Sequence, residues 1–549
     1  MMRNFISDWW GRRARAQMRR QLRTHRAILH ASLDLENHRL AGLLEDAGPP
    51  VPEGVLSFLP EKYRNAGMTC LQQRCLTMNF SFLLVEVGKH LVAPGTPLVM
   101  AIPKRWREHL RRQGLSVSAK SQLRFALVVL DALVAGLRAV RLLTLSRRRG
   151  QQVVPPAVKY HVFIGANAGN LPDPSGREER RNLYSWYQAY YGIEKDFAFV
   201  AENRGVDAPQ WYGKTGVMVA ENFPPLDAAR HRKFIRTAIK LAVGGVAWTL
   251  LGRWWHAILL LDAVKLAYFQ LLPTDALAQR YLFHAGNSLV RPLWTYDAEA
   301  RGASVVNAFY SGNFITFTPN PTISPARTLA LSTMSWPEMI CLDKESRDAL
   351  VAYGLPPKTI RVSDIPFDFY DDGSPLPSIH GPVVMLFDVT PYRSYFKASR
   401  GFHNAYYTAE TWTRFIDDIV QSAKRHGWTV VLKAKRKKNR FNAPAYQRYI
   451  ERLEMDTNVV ILDAGIGASR AITIADAVMS MPFTSPSLIA TQQGCPGAFY
   501  DPGGQLSHCD ALTRGMPMLT TSSELDDWFF SLSHKARNTK PFSTRTFQG

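Results

Sequence analysis

AVMSMPFTSPSLIATQQGCPGAFYDP, residues 477–502, reads as a strand, a hydroxyl-rich turn, a helix and a second strand. Ala477 to Met481 is an apolar run of strand length that stops at Pro482. Ser485 followed by Pro486 has the form of an N-cap with proline at the first helical position, and Gly494 closes the helix. Such a helix start carries free backbone N–H groups and the positive end of the helix dipole. The hydroxyls of Thr484, Ser485 and Ser487 add donors there, a combination that suits a phosphate. The alternative from these residues alone is a capped helix of an α/β domain with no ligand.

Working outward, the same alternation fills residues 381–525: strand PVVMLFDVT, helix AETWTRFIDDIVQSAKRHG, strand WTVVLKA, helix APAYQRYIERLEM, strand NVVILD and helix SRAITIAD. Strands alternating with helices of this length imply a parallel sheet, whose ligands sit outside the carboxyl ends of the strands. A first α/β unit is expected over 155–335, where YHVFIGANAG, FAFVAEN, GVMVAEN, RYLFHAGNS and SVVNAFYSGN read as strands and RRNLYSWYQAYYG and WTYDAEARGA as helices. Residues 336–380 read as a crossover between the two units, and 526–549 as a tail. Residues 1–150 read as mostly helical and basic. The fold class expected is therefore α/β, with two Rossmann-like domains facing a cleft behind a helical, basic N-terminal region.

At 549 residues and 46% hydrophobic content the chain is long enough for several domains with sizeable cores, which excludes a disordered protein. A formal charge of +22 predicts attraction to polyanions: nucleic acid, anionic headgroups or nucleotide phosphates. Much of the excess sits in MMRNFISDWWGRRARAQMRRQLRTHR, which carries eight arginines and a single acid and reads as a surface-seeking helix. The interleaved aromatic and basic motifs of a nucleic-acid binder are not evident, so no specific nucleic-acid partner is expected. Cys70, Cys75, Cys341, Cys495 and Cys509 show no CxxC spacing, which argues against a zinc site or a disulfide framework and fits a reducing compartment. No signal peptide is read at the start, because Asp8 and the arginines interrupt the first apolar residues. The apolar stretches 123–145 and 241–272 each contain charges, so neither supplies the roughly 20 uncharged residues of a spanning helix. They read either as buried core helices, 237–272 being an insert in the first α/β unit, or as interfacial helices with Arg253, Trp254 and Trp255 at a headgroup boundary.

A second strand end in the later unit also has chemistry for phosphate. WTVVLKA runs into KAKRKKNR, residues 433–440. As a charge run this is commonly a solvated face. Lys433, however, lies inside the strand pattern, so Lys433, Lys435 or Arg436 is available to neutralise a phosphate resting on the helix at Ser485.

These pieces resemble the GT-B class of glycosyltransferases, and the string PFTS in MPFTSPS resembles a bacterial polysaccharide-biosynthesis group named for that motif. The resemblance rests on LDKESRDALVAYGLPPKTIRVSDIPFD, on LKAKRK and on ADAVMSMPFTSPSLIATQQGCPGAFYDP, and spans roughly residues 155–505. It implies transfer of a sugar from a nucleotide-sugar donor to a growing, lipid-linked glycan of O-antigen or capsule type. The donor phosphates would fall on Thr484, Ser485 and Ser487, with Lys433 as a supporting charge. Many related enzymes place a His-Pro pair after the strand lysine, whereas this chain reads KAKRKK. The resemblance also implies a base on the N-terminal domain to take the acceptor proton. His284, after the strand RYLF, and Asp173, in GANAGNLPDPSG, are the candidates, each with a structural alternative. Asp388 and Arg393, in FDVTPYR, are possible donor or acceptor contacts or loop anchors, and Glu338 and Asp343 are possible hinge residues. Asp371 and Asp372 resemble the acidic pair of metal-dependent transferases of another fold, but their Gly/Ser/Pro setting reads as a turn. No metal and no cofactor beyond the nucleotide sugar are expected. The expected partners are the donor, a glycan acceptor and an anionic membrane surface, with the protein peripheral at the inner face of the cytoplasmic membrane. The alternatives are an alditol-phosphate transferase using a cytidine nucleotide and a non-enzymatic basic membrane scaffold.

Overall fold

Short, β-branched apolar runs alternate with amphipathic helices from residue 160 onward, and in the computed structural model these runs assemble into two sheets. The structure describes residues 16–18, 20–21, 26–145, 160–164, 183–193, 198–203, 210–212, 215–219, 223–283, 289–309, 329–363, 373–393, 406–504, 506 and 511–539.

The N-terminal region supplies helices α1 (Arg26–Glu45), α2 (Arg64–Thr77), α3 (Phe80–Val92), α4 (Lys104–Arg112) and α5 (Lys120–Leu145). The first sheet follows: β1 (Tyr160–Ile164), α6 (Leu183–Tyr191), β2 (Ala198–Asn203), β3 (Gln210–Tyr212), β4 (Thr215–Val219), α7 (Ala228–Leu250), α8 (Trp255–Phe269), β5 (Arg280–Phe283), α9 (Trp294–Ala300), β6 (Ser304–Ala308), β7 (Glu338–Cys341), α10 (Lys344–Ala352) and β8 (Ile360–Val362). Its strand order is β3-β4-β2-β1-β5-β6-β7-β8, parallel except for β3 against β4. One continuous core joins α1–α5 to this sheet, with buried residues running from Met18 and Leu40 through Trp106, Leu260 and Trp294 to Ile360. The helical region is therefore packed as part of the first unit. Helix α8 is buried on almost every side and carries Asp262 inside, where Arg74 of α2 neutralises it at 2.7 Å.

The second sheet comprises β9 (Val383–Phe387), β10 (Thr429–Lys433), β11 (Val459–Leu462), β12 (Ala477–Ser480), β13 (Gly497–Tyr500) and β14 (Met518–Leu519). Its helices are α11 (Ala409–Arg425), α12 (Pro444–Leu453), α13 (Ala468–Ile472), α14 (Ser485–Gln492) and α15 (Ser522–Thr539). All pairs are parallel in the order β11-β10-β9-β12-β13-β14. Counted within the unit this is 3-2-1-4-5-6, the doubly wound dinucleotide-fold order. Separate apolar clusters cover its two faces, which is why VVMLF at β9 has no polar alternation.

Several boundaries differ from the sequence reading. The segment expected as a crossover, 336–380, contributes β7 and β8 to the first sheet: Glu338, Met339 and Ile340 pair with β6, Cys341 pairs with Val362 of β8, and Met339, Ile340 and Cys341 bury their side chains. The expected tail begins inside α15, which packs on α11 through Arg425 paired with Asp526 and on the turn before β10 through Trp428 Nε1 donating to Ser533 Oγ at 3.0 Å. The expected insert at 237–272 starts earlier, at α7, whose N-cap Asp227 accepts from Arg230 N at 2.8 Å. Most of the basic stretch 1–26 lies outside the described residues, but Met18 is buried and Gln21 donates to the Val85 carbonyl. Among the described residues no helix is long and apolar enough to cross a membrane.

Candidate functional site

In a 3-2-1-4-5-6 sheet the chain leaves the two central strands in opposite directions, and a crevice opens at their carboxyl ends. Here those strands are β9 and β12, and the PFTS turn is what β12 delivers to the crevice. Phe483 takes φ +63°, a left-handed conformation that is an outlier for a bulky side chain. Its ring packs edge-on to Phe499 at 6.0 Å, and Tyr407 Oη donates to the Pro482 carbonyl at 2.5 Å, so the strained turn is held from both sides. The N-cap is Thr484, one residue earlier than expected, because Ser485 already has its place in α14. The Thr484 hydroxyl donates back to the Met481 carbonyl at 2.8 Å and makes no cap bond to the helix. Thr484 and Ser485 are half-buried, and the N-cap side chain makes no bond to the first-turn N–H groups of α14.

Ser487 corrects the phosphate set expected from sequence. It is fully buried, and its hydroxyl donates to the Ala498 carbonyl at 2.9 Å and shares a 2.5 Å contact with Ser480 Oγ. The hydroxyl pins α14 to β12 and β13, leaving Thr484 and Ser485 as the hydroxyls of the turn. Gly497 permits this close seat: a Cβ there would stand 2.8 Å from the Ser487 carbonyl oxygen.

The neighbouring strand ends complete the rim. Lys433 aligns with Phe387, and Leu386 with Met479, so Lys433 and Ser480 lie level on strands two places apart, roughly 10 Å. The Lys433 ammonium is buried and donates to the Ala464 carbonyl at 3.3 Å, on the side of β10 away from the PFTS turn. Lys435 and Arg436 are exposed beyond it, with the Arg436 guanidinium 5.6 Å from the Tyr392 ring centre. Arg393 donates from Nε to the Asn442 carbonyl at 3.2 Å, tying the loop after β9 to the loop after β10.

Asp388 is a loop anchor. It is buried and accepts from Thr390 N at 2.7 Å, Thr390 Oγ1 at 2.5 Å and Tyr446 Oη at 2.9 Å. These bonds hold Thr390 at φ +50°, a strained position for a β-branched residue. Burial, reinforced by Asp388, pushes the Tyr446 hydroxyl far above its usual range, so it stays a donor. Left-handed residues thus follow both central strands, Thr390 after β9 and Phe483 after β12. Asp501, at the end of β13, is likewise consumed, accepting from Tyr406 Oη and from the backbone of Gly503 and Leu506.

His284 and Asp173, the candidate bases, lie outside the described residues, as do Asp371 and Asp372. Asn307, which the sequence reading missed, is the penultimate residue of β6, level with Phe283 at the end of β5. It is fully buried, and neither amide atom has a hydrogen-bond partner among the described residues. Asp343 caps α10 through Ser346 N and binds Arg514 Nε at 2.6 Å, so this carboxylate joins the first sheet to the loop before β14. Glu338 lies within β7 and accepts from Tyr191 Oη at 3.4 Å. No cluster of metal-ligating side chains is present among the described residues.

Two Rossmann-like sheets, the first parallel except for β3 and the later one wholly parallel with an open helix start at its switch point, define a GT-B-like α/β protein with a helical N-terminal region. Residues 241–529, over half of the chain, match the family model described as "Polysaccharide biosynthesis PFTS motif protein", and the chain belongs to that family. No curated protein sequence matches significantly. Similar solved structures include the lipopolysaccharide outer core galactosyltransferase WaaB in its apo form, at 11% identity and TM-score 0.34, covering 69% of this chain and 90% of that one. Anabaena Alr3699/HepE in complex with UDP-glucose is similar at 14% identity and TM-score 0.36, over 69% and 91% of the two chains. The wall teichoic acid polymerase TagF is similar at 11% identity and TM-score 0.36, over 74% and 90%. At such scores the site rests on this chain's own residues.

Proposed function

We propose that the protein transfers a sugar from a nucleotide-activated donor to a growing, lipid-linked surface glycan of O-antigen or capsule type, working at the inner face of the cytoplasmic membrane. The observation that supports this reading best is the start of α14, placed at the switch point of a 3-2-1-4-5-6 sheet with no bond from its N-cap side chain to its first turn. The donor phosphates rest on those N–H groups and on Thr484 and Ser485, with Lys435 and Arg436 on the rim and the Lys433 charge behind. The acceptor hydroxyl attacks the anomeric carbon, and the bond from that carbon to the phosphate oxygen breaks. The nucleotide leaves with the bonding pair, its new charge spread over the helix start and the basic loop in place of a metal ion. His284 or Asp173 takes the acceptor proton.

A thermal-shift screen against CMP, UDP, GDP and their sugars tests the donor site, since a ligand that binds only the folded state raises its melting temperature. A saturable rise with one nucleotide supports the reading, and no saturable binding supports a scaffold instead. Product analysis then separates a glycosidic bond from the phosphodiester that an alditol-phosphate transferase would leave.

A further inference from the structure

Helix α7 changes character along a single outer stripe. Arg232, Arg236 and Lys240 occupy its first half, and Val243, Ala247 and Leu250 continue the same line at steps of three or four residues. All six are exposed, Val243 by 64% and Leu250 by 83%, and Leu251 just beyond is exposed by 71%. Helix α5 places Leu123 (65% exposed) and Leu130 in its first half and Arg138 and Arg141 in its second, where exposed Leu142 and Leu145 stand beside the arginines.

The two helices lie antiparallel over α8. His231, early in α7, bonds the Thr144 carbonyl at the end of α5 at 3.1 Å, while Phe125 near the start of α5 meets Trp254 after α7 edge-on at 4.9 Å. Leu123 and Leu130 therefore share the end of the face where Leu250 lies, and Arg138 and Arg141 the end where Arg232 and Arg236 lie. Helix α7 contains no acid and α5 only Asp131, whose carboxyl burial raises above its usual range. At the apolar end Gly252, at φ +82°, turns the chain behind Leu251, and Arg253 lies over the Trp248 ring at 4.1 Å.

We infer that the joint outer face of α5 and α7 docks on an anionic phospholipid bilayer, with the turn between α7 and α8 entering the acyl boundary and the basic halves lying against the headgroups. This rests on the membrane-surface reading above and assigns it to particular residues. A patch of exposed leucines beside charge of predominantly one sign marks an interaction surface. A second copy of the same face would set Arg and Lys against Arg and Lys with no acid in α7 to meet them. A bilayer answers both halves, since its headgroups complement the bases and its acyl chains accept Leu250 and Leu251. Trp248 with Arg253 fits the boundary between them.

The test uses the full chain and co-sedimentation with vesicles of phosphatidylglycerol and phosphatidylethanolamine, compared with phosphatidylcholine. Leu250→Glu/Leu251→Glu is expected to weaken partition at least tenfold. Arg232→Gln/Arg236→Gln/Lys240→Gln is expected to weaken it roughly a hundredfold at low salt, with added salt bringing wild type toward the variant. Both variants change exposed side chains, and an unaltered melting temperature and nucleotide-induced shift show that fold and donor site survive. Partition unchanged in both variants, wild-type binding to phosphatidylcholine as strong as to the anionic vesicles, or no wild-type binding at all overturns the proposal. So does a self-association in sedimentation that the leucine variant abolishes. Loss of the nucleotide shift with partition intact would instead overturn the donor-site reading alone.

Discussion

Replacing Gly497 by alanine perturbs the donor site without touching any residue assigned to a ligand. The new Cβ would stand 2.8 Å from the Ser487 carbonyl oxygen, 2.9 Å from Thr491 Oγ1 and 3.5 Å from Met516 Sδ. Thr491 can rotate, but the Ser487 carbonyl belongs to the backbone of α14, so the helix must retreat by about half an ångström to reach ordinary contact. Overpacking of this kind costs about 1–3 kcal/mol. The same retreat stretches the Ser487 hydroxyl bond to Ala498, now 2.9 Å, and lifts the first-turn N–H groups out of register with a bound phosphate. Nucleotide affinity is expected to fall about tenfold, near 1.4 kcal/mol. Gly494→Ala is the matched control: Gly494 has φ +75° and nothing within 4 Å of a Cβ, so it costs about 1–2 kcal/mol of backbone strain and leaves α14 seated. Urea denaturation and calorimetric titration with the nucleotide found in the screen read both effects. Equal binding losses in the two variants, or unchanged binding in Gly497→Ala, would refute the link between helix seating and phosphate contact.

Asp388→Asn turns an amide donor against Thr390 or Tyr446 and should cost about 2–4 kcal/mol in chemical denaturation; adding Thr390→Gly should recover about 1 kcal/mol, since the left-handed residue no longer needs holding. Asn307→Leu should raise stability by about 1–3 kcal/mol, because it removes two buried polar atoms that lack partners among the described residues; a fall in glycan transfer together with that rise would mark Asn307 as an acceptor contact. Burial, with Arg280 acting in the same direction, holds the His161 imidazole down at about 4, so the folded chain keeps it neutral while the unfolded chain gains a proton below about pH 6.5. Stability should therefore be full above that pH and decline toward pH 4, and His161→Gln should flatten the decline in melting temperature.

The segment 477–502 disclosed its elements in order because Pro482, Pro486 and Gly494 punctuate it, and the strand and helix periods between them are unambiguous. It did not separate Ser485 from Ser487, since both are hydroxyls of a first turn. Only the three-dimensional phase of α14 over β13 turns one to the crevice and the other into the core. Asp388 was equally ambiguous, because the anchors Thr390 and Tyr446 that consume it come from a strained turn and from a helix 58 residues away. Residues 338–362 read as a crossover whose strand, helix and second strand were legible; that the strands extend the first sheet was not, because pairing with β6 leaves no local mark. The apolar stretches differ in burial: α8 is enclosed by α2, α5, α7 and α9, whereas α5 and α7 each carry exposed apolar residues on one face. Arg514 gave no signal, since its partner Asp343 lies 171 residues earlier.

The most direct test of the phosphate cradle is Ser485→Asp. A carboxylate in the first turn of α14 favours the helix dipole by about 0.3–1 kcal/mol, yet it fills the anion site with the wrong charge. Calorimetric titration with the nucleotide from the screen, run beside thermal melting, should show an equal or higher melting temperature and binding weakened at least a hundredfold. A folded variant that binds the nucleotide as tightly as wild type would contradict the cradle.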